Sequence, residues 1–318
     1  MPTLWSSLGI QRNPNTLPTL LKEMAAITAA TNNRYVWRGL KSANYTLHTS
    51  LERRMRTSGI LVSKYSLPFF DTQLINSARN SRLWPELPNA EMLALLQHAG
   101  AATSLLDVTP DPFVALFFAT EAASSAESGS CALVALRVPG VGQDGQSRNT
   151  CRVPVPDELD PFNFNAYVSI RKAAVSFEPF GTPILWEAPY LDNRMRAQKG
   201  MFLATTAPTT PLNYGSYDLK LESPAREKAK IQHLMNVDRG HYTRPNAVVF
   251  YLTPHLRKEA ADQLAIRFGY RTDTIYPDPT GFALANAHGR PLDPAGVDSL
   301  ADRYRGRVRP LGLRHWDD

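Results

Sequence analysis

Apolar and polar positions change period along the chain, and each change marks an element. Leu20, Leu21, Met24 and Ile27 share one face of a short helix. Arg34 to Leu40 is aromatic and β-branched and ends near a glycine, which predicts a strand stopping at Gly39. Met92, Leu95, Leu96 and Ala99 give a second helical face, with Asn89 as expected N-cap, Glu91 in the first turn and Gly100 just past the end. Gln97 and His98 then fall in the last turn of that helix. Ser104 to Thr109 reads as a short strand or turn. Asp111-Pro112 has the order of an N-cap followed by proline at the first helical position. The run Phe113 to Ala119 behind it is apolar all round, which implies deep burial.

Further along, Cys131 to Val138 is a continuous apolar strand, residues 139 to 165 read as a loop, and Val248 to Leu252 is another buried strand. Thr253-Pro254 opens a helix carrying Leu256, Ala260, Leu264 and Phe268 and stopped by Gly269. Residues 271 to 276 are expected as a strand, and Pro277 to Gly281 as a turn. The rhythm is mixed rather than regular βαβ, so the expected fold is α+β with a mainly antiparallel mixed sheet and flanking helices. The expected organisation is an N-terminal extension over 1–30, one α+β domain over 31–286, and a basic segment over 287–318.

Composition narrows the class. With 318 residues, 43% of them hydrophobic, there is material for a full core. No run approaches the ~18 apolar residues needed to cross a bilayer, and no secretory leader is recognisable, so a cytoplasmic protein is expected. Cys131 and Cys151 sit in unlike contexts without metal-ligand spacing, which suits a reducing compartment; a single disulfide is the alternative. No metal is expected. The net charge of +6 favours a polyanionic partner. Arg303, Arg305, Arg307 and Arg309 alternate, and in an extended segment they would share a face; with Arg53 and Arg54 they are candidate nucleic-acid contacts. A second basic stretch, Lys220 to Lys230, carries its own acidic partners Glu222 and Glu227.

Seven polar residues stand out because they are embedded in apolar sequence: Arg38, Gln97, His98, Asp107, Thr109, Arg194 and Gln198. Burying so many polar groups costs free energy unless they meet each other or a ligand. Phosphate loops, nucleophile elbows and H-E-x-x-H motifs are missing from the sequence, which argues against the corresponding NTPase, hydrolase and metalloprotease chemistries.

Several of these residues fall in motifs. Trp37-Arg38-Gly39, the Leu47-to-Arg53 element, the block Gln97-His98-Ala99-Gly100-Ala101-Ala102-Thr103-Ser104-Leu105-Leu106-Asp107-Val108-Thr109, and Arg194, Gln198, Gly200 and Phe202 together resemble the FRG-domain family over roughly 34 to 286. The chain departs from that family's usual pattern at Ala99, Ala102 and Ser104. The resemblance implies a component of a toxin or anti-phage defence system, with a neutralising antitoxin-like partner.

The layout is also similar, more distantly, to ADP-ribosyltransferases. That resemblance implies NAD as co-substrate. Arg38, flanked by Trp37 and Gly39, would hold the diphosphate, since a planar guanidinium fork matches phosphate oxygens in pairs. Gln97, Thr103, Asp107, Thr109 and Phe117 would shape the nicotinamide-ribose pocket. Gln198 would orient the ribose, and His98 is a candidate general base. Glu187 is an available carboxylate upstream. Each residue has a plainer reading: Arg38 neutralising Asp107, His98 favoured by the helix C-terminus, Thr109 and Asp107 as local turn formers, and Gln198 bonding backbone. Two other functions stay open, a metal-independent ribonuclease or nucleic-acid-binding effector, in which His98 and His48 could act on RNA, and a non-catalytic sensor or interaction module.

Overall fold

Strand β2 (Arg34–Leu40) shows how the chain divides its space. Successive side chains of a strand point to opposite faces. Tyr35 and Trp37 enter one apolar core, and Val36 and Leu40 enter another. Arg38 shares the parity of Val36 and Leu40, and Gly39 that of Trp37. The computed structural model describes residues 9–29, 34–45, 47–62, 66–121, 129–138, 150–151, 184–186, 188–189, 191–204 and 247–285. The expected C-terminal arginine ladder, the Lys220–Lys230 stretch and Glu187 lie outside those residues.

The remaining elements are β1 (Gly9–Arg12), α1 (Leu17–Thr28), α2 (Ser50–Thr57), α3 (Ser66–Ser81), α4 (Asn89–His98), β3 (Leu105–Val108), α5 (Pro112–Thr120), β4 (Cys131–Val138), β5 (Thr150–Cys151), β6 (Ile184–Trp186), α6 (Asn193–Ala197), β7 (Met201–Ala204), β8 (Ala247–Leu252), α7 (Pro254–Arg267), α8 (Thr272–Ile275) and α9 (Pro279–Ala285). They build two four-stranded sheets, ordered β1-β8-β4-β2 and β3-β7-β6-β5. Pairing is antiparallel except for β1 with β8 and β5 with β6. The fold is α+β with a mixed, mainly antiparallel sheet core, as the sequence pattern indicates.

The apolar clusters define four layers. Val36, Leu40, Val134 and Val249 of the first sheet meet Leu106, Val108, Leu185 and Leu203 of the second. The outer face of the first sheet packs against α1, α5 and α7 through Trp37, Leu133 and Phe250. The outer face of the second packs against α3 and α4 through Leu105, Trp186 and Phe202. Each fully buried large side chain in these layers stabilises the fold by roughly 1.5–3 kcal/mol. Cys131 is a free thiol in the first of these cores, and burial pushes it up to about 11, which makes it inert packing.

Helix α5 follows its expected start: the Asp111 carboxylate accepts from Phe113 N at 2.9 Å, and Pro112 sits at the first helical position. Its burial on nearly all sides matches its apolar sequence. Three local expectations are corrected. Pro88, not Asn89, is the N-cap of α4, and Asn89 lies buried inside the first turn. Residues 272–275 are a single helical turn, not a strand; Thr274 accepts from the Arg271 amide and donates to the carbonyls of Gly269 and Arg271, which curls the backbone locally. Residues 279–285 are helix α9, not a turn, with the Asp278 carboxylate accepting from Gly281 N at 2.7 Å. Residues 9–28 supply the edge strand β1, in parallel register with β8, and the core helix α1.

Candidate functional site

A backbone bridge joins the two sheets beside Arg38. Trp37 N donates to the Thr109 carbonyl at 2.7 Å, and Thr109 N donates to the Trp37 carbonyl at 2.9 Å. That bridge fixes the end of β3 against β2. Gly39, on the same strand face as Trp37, allows α5 to lie directly on β2: a Cβ there would overlap the Ala115 carbonyl oxygen and the Ala119 amide nitrogen. Arg38 is thereby turned away from the helix layer and toward a cavity of about 760 Å³, within the size range of small-molecule sites.

All seven polar residues singled out from sequence line this cavity: Arg38, Gln97, His98, Asp107, Thr109, Arg194 and Gln198. They come from β2, α4, β3, the loop after it, and the α6 region. Arg38 Nη1 donates to the Asp107 carbonyl at 2.6 Å and lies 3.5 Å from the Asp107 carboxylate. So the plainer reading of Arg38 is partly realised, yet the Asp107 carboxylate is 58% exposed rather than sealed in a buried pair. Gln97 Nε2 donates to Asp107 Oδ1 at 2.7 Å, and the Thr103 hydroxyl donates to Gln97 Oε1. Thr109 Oγ1 accepts from Asp111 N at 3.1 Å, which is a local turn bond as well as a place on the cavity wall.

Arg194 and Gln198 stand one helical turn apart on α6 and its C-cap, so both face the same way. Lys199 and Gly200 close that helix with paired bonds to the Arg196 and Met195 carbonyls at 3.1 and 2.9 Å, leading straight into β7. Lys199 holds the left-handed position at φ +47°, and its ammonium meets the Asp111 carboxylate at 2.7 Å. Arg194 grips Asp278 through two bonds, at 2.7 and 2.8 Å, and reaches the His98 carbonyl at 3.2 Å. This fork holds the Asp278 carboxyl well below the usual carboxylate range. Gln198 Nε2 donates to the Ile275 carbonyl at 3.2 Å, leaving its amide oxygen as an acceptor.

His98 is mostly buried, with Nε2 3.4 Å from Asp192 Oδ1. Burial holds its pKa below the ordinary value; Asp192 opposes that effect and Arg194 adds to it. Burial thus favours the neutral imidazole, the form that can accept a proton.

The other expected site residues are distributed differently. Trp37 and Gly39 also line the cavity, while most of the Trp37 indole is buried in the helix-side core, stacked on Phe250. Phe117 is buried in that core, and its neighbour Phe118 lines the cavity instead. Thr103 is fully buried behind Gln97. Arg53 lines the cavity, with Nη1 donating to the His48 carbonyl at 2.6 Å; Arg54, one position on, does not line it.

Sequence reasoning missed a group at the cavity's other wall. Lys41 and Tyr276 line it, and both hold Glu121, at 3.0 and 3.1 Å. Buried Arg257 braces this group by donating to the carbonyls of Lys41, Thr120, Glu121 and Gly129 at 3.1 to 3.2 Å. Asp278-Pro279 has the same cap-and-proline order as Asp111-Pro112 and was legible in the same way. Among the described lining residues there are four cations (Arg38, Lys41, Arg53 and Arg194) and one carboxylate, Asp107; Lys41 is paired with Glu121 and Arg194 with Asp278, carboxylates that are not part of the lining. Among the described residues, no group of three or more His, Cys, Asp or Glu side chains is placed to hold a metal ion, and no helix is long and apolar enough to cross a membrane.

The family model of the FRG domain matches residues 33–128. The chain therefore carries an FRG domain in the stretch that supplies β2, α2, α3, α4, β3 and α5, and with them Arg38, Arg53, Gln97, His98, Asp107 and Thr109. Arg194 and Gln198 lie beyond that match. No curated protein and no solved structure matches the chain.

Proposed function

We propose that this cavity binds NAD and catalyses ADP-ribosyl transfer, and that the protein is an effector of the toxin or anti-phage type. The observation that carries the reading is the setting of Arg38: a guanidinium on the inner face of a sheet, at the junction with a second sheet, beside the one carboxylate among the described residues of a cation-rich cavity. Its fork suits a diphosphate. Arg53 adds positive charge for the same anion. Thr109 and Asp107 flank the nicotinamide ribose, and the Gln198 amide oxygen accepts from a ribose hydroxyl.

In the reaction the bond between nicotinamide and ribose C1 breaks, and the electron pair leaves with the nicotinamide. The positive charge that grows on the ribose is met by the Asp107 carboxylate, held in place by Gln97 and Arg38. The acceptor forms the new bond to C1, and its proton passes to neutral His98. An effector that consumes NAD requires a neutralising partner in its own cell, of antitoxin type. Nucleic acid is a candidate acceptor, given the net charge of +6.

The state of His98 favours a second reading. A neutral, mostly buried imidazole in a cation-lined cavity also suits metal-independent RNA cleavage, where a base takes the proton of a ribose 2′-OH.

Both are tested together. Purified protein is incubated with NAD labelled in its adenylate half, with protein extract and total RNA as separate acceptors, beside Arg38→Ala. Label transferred to one fraction, and reduced at least ~100-fold in the variant, supports the transferase and names its acceptor class. RNA cleavage without NAD binding moves the assignment to the ribonuclease. Neither activity from folded protein overturns the enzymatic reading.

A further inference from the structure

We infer that Thr103 and Gln97 form a positioning relay, anchored on α2, that sets the Asp107 carboxylate toward the ligand; the inference rests on the transferase reading only for what Asp107 does there.

The relay follows from hydrogen-bond capacity. An ionised carboxylate only accepts, so the Gln97 edge facing Asp107 must be the NH2 group, and the 2.7 Å contact is Nε2 to Oδ1. Gln97 Oε1 then points the other way, at the Thr103 hydroxyl, which must donate to it. That hydroxyl also accepts from Leu105 N at 3.2 Å. Its single proton is thereby committed to Gln97, and the amide cannot turn over without setting two oxygens against each other.

Thr103 is itself clamped. Its amide donates to Ser50 Oγ at 3.0 Å; its carbonyl accepts from Leu51 N at 3.0 Å and from Ser50 Oγ at 3.2 Å. Those groups sit at the N-terminus of α2, held by the Thr49–Glu52 capping box. Next door, buried Asp71 accepts from Ser104 N and Ser104 Oγ. A rigid frame thus reaches Asp107 through one amide. The chain accounts for why Thr103, which is 0% exposed and does not line the cavity, matters to it. Thr103 and Gln97 are positioning residues, and Asp107 is the group that meets the reacting sugar.

The test uses Thr103→Val, which removes the hydroxyl at nearly constant shape, Thr103→Ser, which keeps it, and Gln97→Glu, which sets a second carboxylate against Asp107. Two readouts are taken on full-length protein. The first is NAD turnover with the NAD dissociation constant measured alongside: Thr103→Val and Gln97→Glu should lower kcat by at least ~10-fold with little change in NAD affinity, and Thr103→Ser should stay within ~3-fold of the parent. The second is hydrogen exchange of the Gln97 side-chain amide by NMR, assigned by loss of its signals in Gln97→Ala. Protection in the parent and in Thr103→Ser, lost in Thr103→Val, supports the relay whether or not NAD is turned over. If the parent consumes no NAD, the transferase reading falls and the amide measurement alone judges the relay. An unprotected Gln97 amide in the parent, or a Thr103→Val protein with unchanged protection and kcat, overturns it.

Discussion

Adding one methyl group at Gly39 should unseat helix α5. A Cβ built there would overlap the Ala115 carbonyl oxygen and the Ala119 amide nitrogen, and would lie 3.0 Å from the Phe118 carbonyl carbon. All three are backbone atoms, and the first two are hydrogen-bond partners one turn apart in α5. No rotamer change relieves such a clash, so the helix must retreat by roughly 1 Å to regain ordinary contact distance. The retreat opens the layer in which Val114, Ala115 and Ala119 meet Trp37 and Leu133. Overpacking a rigid core costs about 1–3 kcal/mol, and the looser packing along the displaced helix brings the expected total for Gly39→Ala to about 3–5 kcal/mol. At roughly 2–4 °C per kcal/mol for a domain of this class, the melting temperature should fall by about 10 °C. Gly200→Ala is the control, because the near neighbours of a Cβ there all belong to Met195, its carbonyl oxygen at 3.6 Å and its Cγ at 4.0 Å, which are ordinary contacts; it should stay within ~0.5 kcal/mol of the parent. Thermal and denaturant unfolding followed by circular dichroism would measure both. A Gly39→Ala protein melting within ~2 °C of the parent would show that α5 does not rest on β2 as described.

Two further outcomes concern pH, and a third concerns the Arg194 fork. His98 is held below its ordinary value of 6.5 in the folded state, so as pH falls the unfolded chain takes up that proton first and stability drops from about pH 6.5 toward the folded value; His98→Asn should flatten the melting temperature across pH 7 to 5, and an unchanged slope would refute it. Asp278 is depressed by Arg194, so its contribution is present above the ordinary carboxylate range and lost only as pH falls below it; Asp278→Asn should remove that part of the acid limb of the same curve. Arg194→Lys keeps the charge but not the fork to Asp278 and His98; it should cost about 1.5–3 kcal/mol in denaturant unfolding, and a loss below ~0.5 kcal/mol would count against the pair.

How much was legible depended on whether a signal was local. Asp111-Pro112 and Thr253-Pro254 cap their helices as read, because capping is decided within four residues. The run Phe113 to Ala119 announced a helix buried on nearly all sides by having no polar face. The cavity's seven polar residues were legible as a set, since polar groups in apolar sequence demand partners. Which aromatic enters the cavity was not legible: Phe117 and Phe118 are neighbours of like chemistry, and only the helix's rotation against β2 separates them. Strand β1 escaped because, among its residues with described burial, Ile10 alone is buried, which makes no period. Residues 271 to 276 looked like a strand by their threonines, yet only Ile275 is buried and the Thr274 hydroxyl competes for backbone groups, which favours a turn.

The aromatic-Arg-Gly signature now has a division of labour. Trp37 and Gly39 serve one face of β2, the indole filling the helix-side core and the missing side chain admitting α5. Arg38 serves the other face, at the cavity. Because alternation fixes the two faces, a one-residue slip would send the guanidinium into the helix layer and the indole into the layer between the sheets. The backbone bridge between Trp37 and Thr109 prevents that slip and, in the same two hydrogen bonds, sets the end of β3 and so Asp107 beside Arg38. The three residues of the motif and the Asp107-x-Thr109 sequence far along the chain are thus one mechanical unit. Loss of Gly39 should therefore displace the Arg38–Asp107 pair as well as lower stability, whereas loss of Arg38 should disturb the cavity and leave the packing of α5 intact.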